Sequence, residues 1–296
     1  SVANRPPTAR QEPRILWRSA RLILLGFILT NLWWLSDFAA TDWRLFGVLQ
    51  RIGLVYGACA FLFLLCSPRT RLILIGAILA LYWPLALLPA LDGLPNDIWQ
   101  RGHNFVASVD RVLLGAGNHN YVKGPEGYDP EGLLGTLPAI AQGLIGVAVG
   151  EYLLRRREGD VRRIAIAGAA MLAIGIAWGF VFPVIKDIWS STFVLVTCGI
   201  TLLALAGLHA WLDRPEKRLP WPLLVPLAFG LNAIAAYILH MVTGSLLGWD
   251  LLVAPWRAAS EVMPAPLASL VPVILYMAMI WAFAEWLRRK RWIIKV

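Results

Sequence analysis

Long apolar segments recur along the chain and constrain its fold more than any other feature of the sequence. Each is about 20 residues long, the length that an α-helix needs to cross the hydrocarbon core of a bilayer. Since no water reaches backbone amides there, a spanning segment must be a helix or part of a closed barrel, and barrel strands are shorter and alternate in polarity. We therefore predict an all-α polytopic membrane bundle of about eight transmembrane helices. The predicted spans are 17–36, 46–66, 72–91, 133–154, 164–183, 191–212, 222–245 and 266–287.

The composition leaves little material for a water-soluble domain. Hydrophobic residues make up 58% of the 296 residues and charged residues only 15%. We therefore expect one membrane domain over residues 1–296. Its one long connection, residues 92–132, is predicted to be an ordered extracytoplasmic loop, because it ends in the acidic block at 129–131 and Trp99, Tyr121 and Tyr128 can anchor it to the bundle.

The basic residues indicate how the chain is oriented. Most of its 27 Lys and Arg lie in segments that the predicted spans place on one side of the membrane. The positive-inside rule assigns that side, and with it both termini, to the cytoplasm. The net charge of +9 thus reflects orientation, and we expect no nucleic-acid partner. The basic segments are 1–21, 69–71, 155–163, 214–218 and 288–295.

Polar side chains near the outer ends of the predicted helices form a candidate site. Such groups are costly in hydrocarbon unless they share a hydrated cavity, so we expect them to line one outward-facing cavity. Arg51, Asp129, Glu131, Lys186 and His240 in particular are predicted to converge there. The full set is Gln50, Arg51, Asp129, Glu131, Lys186, Trp189, Asn232, Tyr237 and His240.

Each of these residues also has a structural interpretation. The two carboxylates suit the N-terminus of the helix that follows them, Arg51 is near enough to the interface to reach water, and His240 suits a hydrogen bond to a neighbouring helix. A transporter, a channel vestibule and a membrane enzyme would all need such a cavity. The three cysteines fall inside apolar runs without metal-ligand spacing, so we expect neither disulfides nor a metal site.

Several motifs carry a family resemblance, and their order and spacing extend through most of the chain. They are GVLQRI at 47–52, DRVLLG at 110–115, YDPEGLLGT at 128–136, FPVIKDIWS at 182–190, and NAI at 232–234 followed by Tyr237 and His240. Together they resemble the transmembrane acyltransferases related to heparan-α-glucosaminide N-acetyltransferase, which include bacterial members.

The resemblance implies an enzyme that transfers the acetyl group of cytoplasmic acetyl-CoA to the amine of a glucosamine-type sugar on the far side of the membrane. For this reaction we predict His240, Asp129 and Glu131 as catalytic residues. Arg18 and Arg21 are predicted to bind CoA phosphates at the cytoplasmic rim. The predicted substrate-binding residues are Gln50, Arg51, Lys186, Trp189, Asn232 and Tyr237.

The start of the chain departs from the family pattern. Relatives usually begin with two further membrane helices, whose outer segment carries a histidine regarded as catalytic. The opening SVANRPP looks like the cytoplasmic linker after that pair, so we expect an incomplete or processed chain, or one that has lost this histidine.

The expected acceptor is an amino sugar or glycan, the expected location is a bacterial inner membrane, and self-association is a further expectation. The alternative is a transporter of a sugar or amphiphile that uses the same cavity.

Overall fold

The structure is a computed structural model that describes residues 11–34, 37, 39, 43–115, 119–155, 161–212, 221–246 and 250–294. These residues form helices joined by turns, which confirms the all-α prediction. Some of the basic segments predicted to be cytoplasmic, at 1–10, 156–160 and 213–220, lie outside the described residues. The helices are α1 (Gln11–Thr30), α2 (Val48–Leu65), α3 (Pro68–Ala86), α4 (Phe105–Leu114), α5 (Thr136–Arg155), α6 (Val161–Trp178), α7 (Ser191–Leu212), α8 (Leu224–Leu231), α9 (Ala233–Leu246), α10 (Asp250–Ser260), α11 (Ala265–Ala268) and α12 (Leu270–Arg289).

Six stretches of the described chain are helical, long and apolar enough to cross a membrane, and these are α2, α3, α5, α6, α7 and the combined Ala265–Arg289. The bent pair α8 and α9 makes a seventh if it counts as one span. The chain is therefore an integral, multi-pass helical membrane protein. The predicted first span corresponds to α1, which is not among the six because every 18-residue stretch of it contains Arg14, Arg18 and Arg21.

The predicted span 222–245 is not one continuous helix, and this part of the prediction is wrong. The helix breaks at Asn232, where α8 and α9 meet at an angle of 83°. The Asn232 side chain accepts a hydrogen bond from the backbone N–H of Ile294 at 3.2 Å. Asparagine is disfavoured in helix interiors because its side chain competes with the backbone for hydrogen-bond partners. An average of hydropathy over the segment cannot detect such a break.

The chain divides into two compact units, residues 1–28 with 38–215 and residues 29–37 with 216–296. In the first unit, α6 and α7 pack side by side through glycines. A methyl group on Gly199 would lie 2.6 Å from the backbone nitrogen of Leu172 and 2.8 Å from the carbonyl oxygen of Gly168. Small residues at such a contact let helix backbones approach closely in a bilayer, where van der Waals packing drives association.

Three apolar clusters form the core of the first unit, and the smallest joins α6 and α7 through Ile164, Leu202 and Ala206. The other two lie closer to the candidate site. One joins α2, α3, α5 and α7 through residues such as Ile75, Leu144 and Val194. The other surrounds Tyr82 and Phe182 at the opposite end of α3 from Pro68, beside the 92–132 connection. Together these clusters hold α2, α3, α5 and α7 against one another and against the 92–132 connection.

The 92–132 connection is folded over its described residues, 92–115 and 119–132. Asn104 begins α4 by accepting a hydrogen bond from the N–H of Ala107 at 2.9 Å. The buried Arg111 donates to the carbonyl oxygen of Gly102 at 2.8 Å and pairs with Asp92, so its hydrogen bond holds the pKa of that carboxyl below the ordinary value. This agrees with the expected order of the loop, while its extracytoplasmic position stays a prediction.

In the second unit, α12 packs against α8, α9 and α10. Its Tyr276 bonds to residues of α9, with the hydroxyl 3.0 Å from Nδ1 of His240 and 2.8 Å from the hydroxyl of Thr243. At the other end of α12, Glu285 pairs with Arg288 and Arg289 at 2.6 and 2.9 Å.

Candidate active site

An arginine that precedes α2 joins the two predicted catalytic carboxylates. Nε and Nη2 of Arg44 each donate to one carboxylate oxygen of Asp129 at 2.7 Å, and Nη2 also contacts Glu131 at 2.5 Å. The other face of the guanidinium lies 4.6 Å from the ring centroid of Tyr121. This bidentate geometry fixes the two acidic side chains relative to the start of α2.

The backbone turn at Asp129 brings the carboxylates together. The Asp129 side chain accepts a hydrogen bond from the N–H of Glu131 at 2.9 Å, and the backbone carbonyl oxygen of Asp129 accepts one from the N–H of Gly132 at 2.8 Å. Because α5 begins only at Thr136, both carboxylates lie more than one turn ahead of it. They therefore do not cap α5, as the structural interpretation would require.

A third carboxylate, that of Asp110, is hydrogen-bonded to the end of this turn. Asp110 of α4 is 1% exposed and accepts a hydrogen bond from the N–H of Leu133 at 3.0 Å. A methyl group on Gly132 would lie 1.9 Å from its second carboxylate oxygen, so only glycine fits there. Burial raises the pKa of Asp110 to about 7, although the backbone N–H groups that it accepts act in the opposite direction.

Arg51 lies in the first turn of α2, seven residues after Arg44, and is 4% exposed. Its Nη2 donates to the carbonyl oxygen of Gly132 at 3.2 Å, and its guanidinium carbon lies 4.7 Å from the ring centroid of Trp189. Among the described residues, neither Nε nor Nη1 of Arg51 has a hydrogen-bond partner. Buried donors of this kind are costly unless a ligand or water accepts from them.

Trp189 is held in place by both its backbone and its indole. Its φ of 54° is unusual for a residue with a side chain, and its indole N–H donates to the side-chain oxygen of Gln142 at 2.7 Å. The neighbouring carbonyl oxygen of Ile188 accepts a hydrogen bond from the buried hydroxyl of Tyr82 at 2.6 Å. The aromatic face that covers Arg51 is therefore fixed by α3 and α5.

Two curated proteins match the chain over most of its length. Human heparan-alpha-glucosaminide N-acetyltransferase is 26% identical over 281 residues, which cover 77% of this chain and 42% of the human protein. The mouse protein of the same name is 24% identical over 300 residues, or 84% of this chain and 44% of its own length. The chain is related to these N-acetyltransferases. It spans less than half the length of either relative, and no protein-family model matches it.

The predicted residues of this acetyltransferase relative are divided between the two units. Asp129, Glu131, Arg51 and Trp189 come together in the first unit, as described above. Gln50 also belongs to that unit and is 3% exposed, and its side-chain oxygen lies 2.3 Å from where a methyl group on Gly26 of α1 would be. Gln50 thus contributes to the α1–α2 contact, so its predicted role in substrate binding stays a prediction.

Lys186 has an exposed side chain, and no hydrogen bond or ion pair of its ammonium group occurs within the described part of the chain. Its neighbour Asp187 instead accepts a hydrogen bond from the hydroxyl of Tyr128 at 2.5 Å, and both contact Arg101. This group ties the turn before α7 to the turn that carries Asp129.

His240, Asn232 and Tyr237 belong to the second unit, so their convergence with Arg51 stays a prediction. His240 is exposed and bonded to Tyr276, which matches its structural interpretation as a residue that joins two helices. Asn232 is fully buried at the helix break, and its side-chain nitrogen has no partner among the described residues.

The predicted CoA-binding arginines lie on α1. The guanidinium carbon of Arg18 is 4.8 Å from the ring centroid of Tyr56 in α2, and that of Arg21 is 6.0 Å from the ring centroid of Trp17. Beside Tyr56, a cavity of about 430 Å³ is lined by Arg14, Tyr56, Cys59 and Val147 among others. No group of three potential metal ligands among His, Cys, Asp and Glu occurs in the residues that the structure describes.

Two central residues of the site were not predicted from the sequence. Arg44 resembles any basic residue next to a membrane interface, and its pairing with Asp129 joins positions 85 residues apart. Asp110 stands in the DRVLLG motif, which supplied a signal, but it lies within the 92–132 connection and outside every predicted span. Both roles depend on the path of the 92–132 connection.

Proposed function

We propose that the chain transfers an acetyl group from cytoplasmic acetyl-CoA to the amine of a glucosamine-type sugar on the extracytoplasmic side. The buried guanidinium of Arg51, with two N–H groups that lack partners in the described structure, carries this proposal. Relatedness to two N-acetyltransferases supports the reaction class. Acceptor, donor and membrane topology belong to the proposal.

Arg51 is suited to stabilise the negative charge that develops during acyl transfer. As the amine nitrogen bonds to the acetyl carbon, the carbonyl oxygen becomes an oxyanion that needs preorganised donors. Nε and Nη1 of Arg51 supply two such donors in a site closed on one side by Trp189. The aromatic ring and the carbonyl oxygen of Gly132 hold the guanidinium, so that little reorganisation is required.

Glu131 is the better candidate for the base in this site. Asp129 uses both carboxylate oxygens to bind Arg44 and the N–H of Glu131, which makes it a positioning residue. Glu131 contacts Arg44 through Oε2, and its other oxygen makes no hydrogen bond among the described residues. We assign to it the removal of the proton from the attacking amine, after which the C–S bond breaks and the proton goes to the leaving sulfur.

The α1–α2 cavity suits the donor. Its arginine-containing end, with Arg14 and the nearby Arg18, offers positive charge for phosphates, and its inner end reaches Cys59. Cys59 and Arg51 lie on the same side of α2, eight residues apart, or about 12 Å at the rise of an α-helix. A narrow acyl-bearing arm would therefore need to extend about two helical turns past Cys59 to reach Arg51.

Acetyl transfer by vesicles tests the proposal. The protein is reconstituted with labelled acetyl-CoA on the side of Arg18 and glucosamine on the other, and label on the sugar nitrogen is measured. We expect Arg51→Gln to lower the turnover rate by about 100- to 1000-fold, the usual cost of removing an oxyanion donor, while Arg257→Gln, on an exposed surface of α10, has no effect. Unchanged turnover in a folded Arg51→Gln protein would refute the assignment.

The same assay addresses the start of the chain. The resemblance implies two further helices with a histidine, and the proposal allows for their contribution. The 296-residue chain is compared with one extended by such a helix pair. Activity only in the extended form assigns the proton transfer to the added histidine, whereas equal activity assigns it to residues such as Glu131 or His240.

A transporter remains the second candidate because of the break at Asn232. Helices interrupted within the membrane are typical of transporters, where the unwound backbone binds substrate, and α8 and α9 form such a pair with an 83° bend. Counterflow of unmodified glucosamine in vesicles that lack acetyl-CoA would support transport. We place the protein in a bacterial inner membrane, where self-association is a further part of the proposal.

A further inference from the structure

Two cavities that share part of their lining form a continuous groove in the first unit. The larger, of about 460 Å³, lies next to Pro68 and Glu151, and the smaller, of about 260 Å³, continues to Met171 and Leu202. Leu72, Ile75, Ala148, Tyr152 and Arg163 line both cavities. The groove follows α5, with α3 on one side and α6 on the other, and it lies apart from the Arg51 site.

The mouth of the groove is polar and positively charged. Arg71 and Glu151 pair at 2.5 Å and neutralise each other, while Arg71 also donates to two carbonyl oxygens at the end of α2. Arg163 lines the same mouth. The charged side chains that line this mouth are thus two arginines and one glutamate, which give the described lining a formal net positive charge.

The groove becomes apolar with distance from its mouth. Met171 lies ten residues into α6, which is about 15 Å along the helix axis, or half the hydrocarbon thickness of a bilayer. At the boundary between the polar and apolar parts, the hydroxyl of Tyr152 is buried and has no hydrogen-bond partner among the described residues. A positive mouth, one buried donor and an apolar channel one leaflet deep match an amphiphile with an anionic head.

We propose that this groove binds one anionic phospholipid, with the phosphate near Arg163 and Tyr152 and one acyl chain along Ile75 and Met171. Basic side chains at the membrane surface attract anionic headgroups, and an acyl chain fills an apolar channel that would otherwise lack packing partners. The site is independent of the proposed acetyl transfer and holds for a transporter as well.

Lipid titration of the purified, delipidated protein tests this site. Binding of phosphatidylglycerol and of phosphatidylcholine is followed by native mass spectrometry and by the thermal unfolding midpoint in a neutral detergent. We expect one saturable phosphatidylglycerol, bound about fivefold more weakly by Arg163→Gln, which is the effect of one basic residue near the headgroup. Arg257→Gln, an exposed arginine outside the groove, should bind like the unaltered protein.

Two substitutions in α6 test the apolar end of the groove. Ala167 is exposed and lines the smaller cavity, whereas Ala170 is exposed on the same helix and lines neither cavity. Ala167→Trp should fill the channel and abolish the saturable site, and Ala170→Trp should keep it. Neither change overpacks a buried position, so both proteins should fold.

Three results would overturn the proposal. One is equal binding of phosphatidylcholine and phosphatidylglycerol, and another is binding that neither Arg163→Gln nor Ala167→Trp changes. The third is displacement of the lipid by CoA or equal stabilisation by inorganic phosphate, which would assign the groove to a soluble phosphate compound. Because these measurements detect lipid binding alone, their failure is distinct from a failure of the acetyl-transfer assay.

Discussion

The carboxylate of Asp110 occupies the space in which a side chain at position 132 would lie. One of its oxygens is 1.9 Å from the ideal Cβ position of Gly132, and the other accepts the N–H of Leu133 at 3.0 Å. The contact joins α4 to the turn that carries Asp129 and Glu131. The geometry of the proposed site therefore depends on a glycine that has no chemical role of its own.

A methyl group at position 132 should disturb this turn. Gly132→Ala would collide with the Asp110 carboxylate, which is buried and accepts a hydrogen bond from the N–H of Leu133, so we expect a loss of about 1 to 3 kcal/mol in the free energy of unfolding. Thermal unfolding in detergent measures this loss. Gly146→Ala in α5 is the matched control, because no atom lies within 4 Å of its new methyl group. Equal stability of the two variants would contradict the contact.

The stability of the protein should depend on pH through Asp110. Its pKa is about 7 in the folded state against an ordinary 3.8, so the folded protein binds the proton more tightly. The contribution of Asp110 to the free energy of unfolding is then at its full value below about pH 4. It falls as the pH rises towards 7, by at most about 1.4 kcal/mol per pH unit.

The measurement compares the unfolding midpoint from pH 4.5 to 7.5 in the unaltered protein and in Asp110→Asn. We expect the fall with pH to be smaller in Asp110→Asn, because the amide does not titrate. Glu12→Gln, at an exposed position of α1, should leave the slope unchanged. The same slope in all three proteins would show that Asp110 is ionised throughout this range.

Removal of the Arg44 guanidinium should leave two adjacent carboxylates without a cation. Asp129 is fully buried and Glu131 nearly so, and the loss of one partner from such a pair costs about 3 to 5 kcal/mol. We expect Arg44→Gln to destabilise the protein by an amount of this order. Lysine at position 44 should restore only part of it, since an ammonium group cannot bind Asp129 in a bidentate way.

A double-variant cycle separates this effect from general damage. If repulsion between the carboxylates contributes, Glu131→Gln should be less harmful in the Arg44→Gln background than alone, with a coupling energy of about 0.5 to 3 kcal/mol. Additive effects on the unfolding midpoint would show that Arg44 and Glu131 act independently.

The α6–α7 contact should tolerate no side chain at position 199. The methyl group of Gly199→Ala would meet backbone atoms of α6 at 2.6 and 2.8 Å, so the helices must separate, at a cost of about 1 to 3 kcal/mol. Gly207→Ala, in the same helix, has open space around its methyl group and should be neutral or slightly stabilising. Chemical or thermal unfolding of both variants in one detergent checks the difference.

The sequence by itself determined that this is a helical membrane protein. Hydropathy is a local property, since about 20 consecutive apolar residues must form a helix in a bilayer, and the span predicted at 191–212 coincides with α7. The motifs also indicated the correct relationship, to heparan-alpha-glucosaminide N-acetyltransferases. Asp129, Glu131 and Arg51 were recognised as candidates because their burial is costly wherever they lie.

The tertiary structure alone decided which polar groups meet. Arg44 pairs with Asp129 and Glu131 across more than 80 residues, and Glu151 pairs with Arg71 of α3. The break at Asn232 was likewise hidden, since a hydropathy average counts composition and not backbone hydrogen bonds. Pairing between distant segments depends on how loops fold and helices pack, and neither is encoded in a local window of residues.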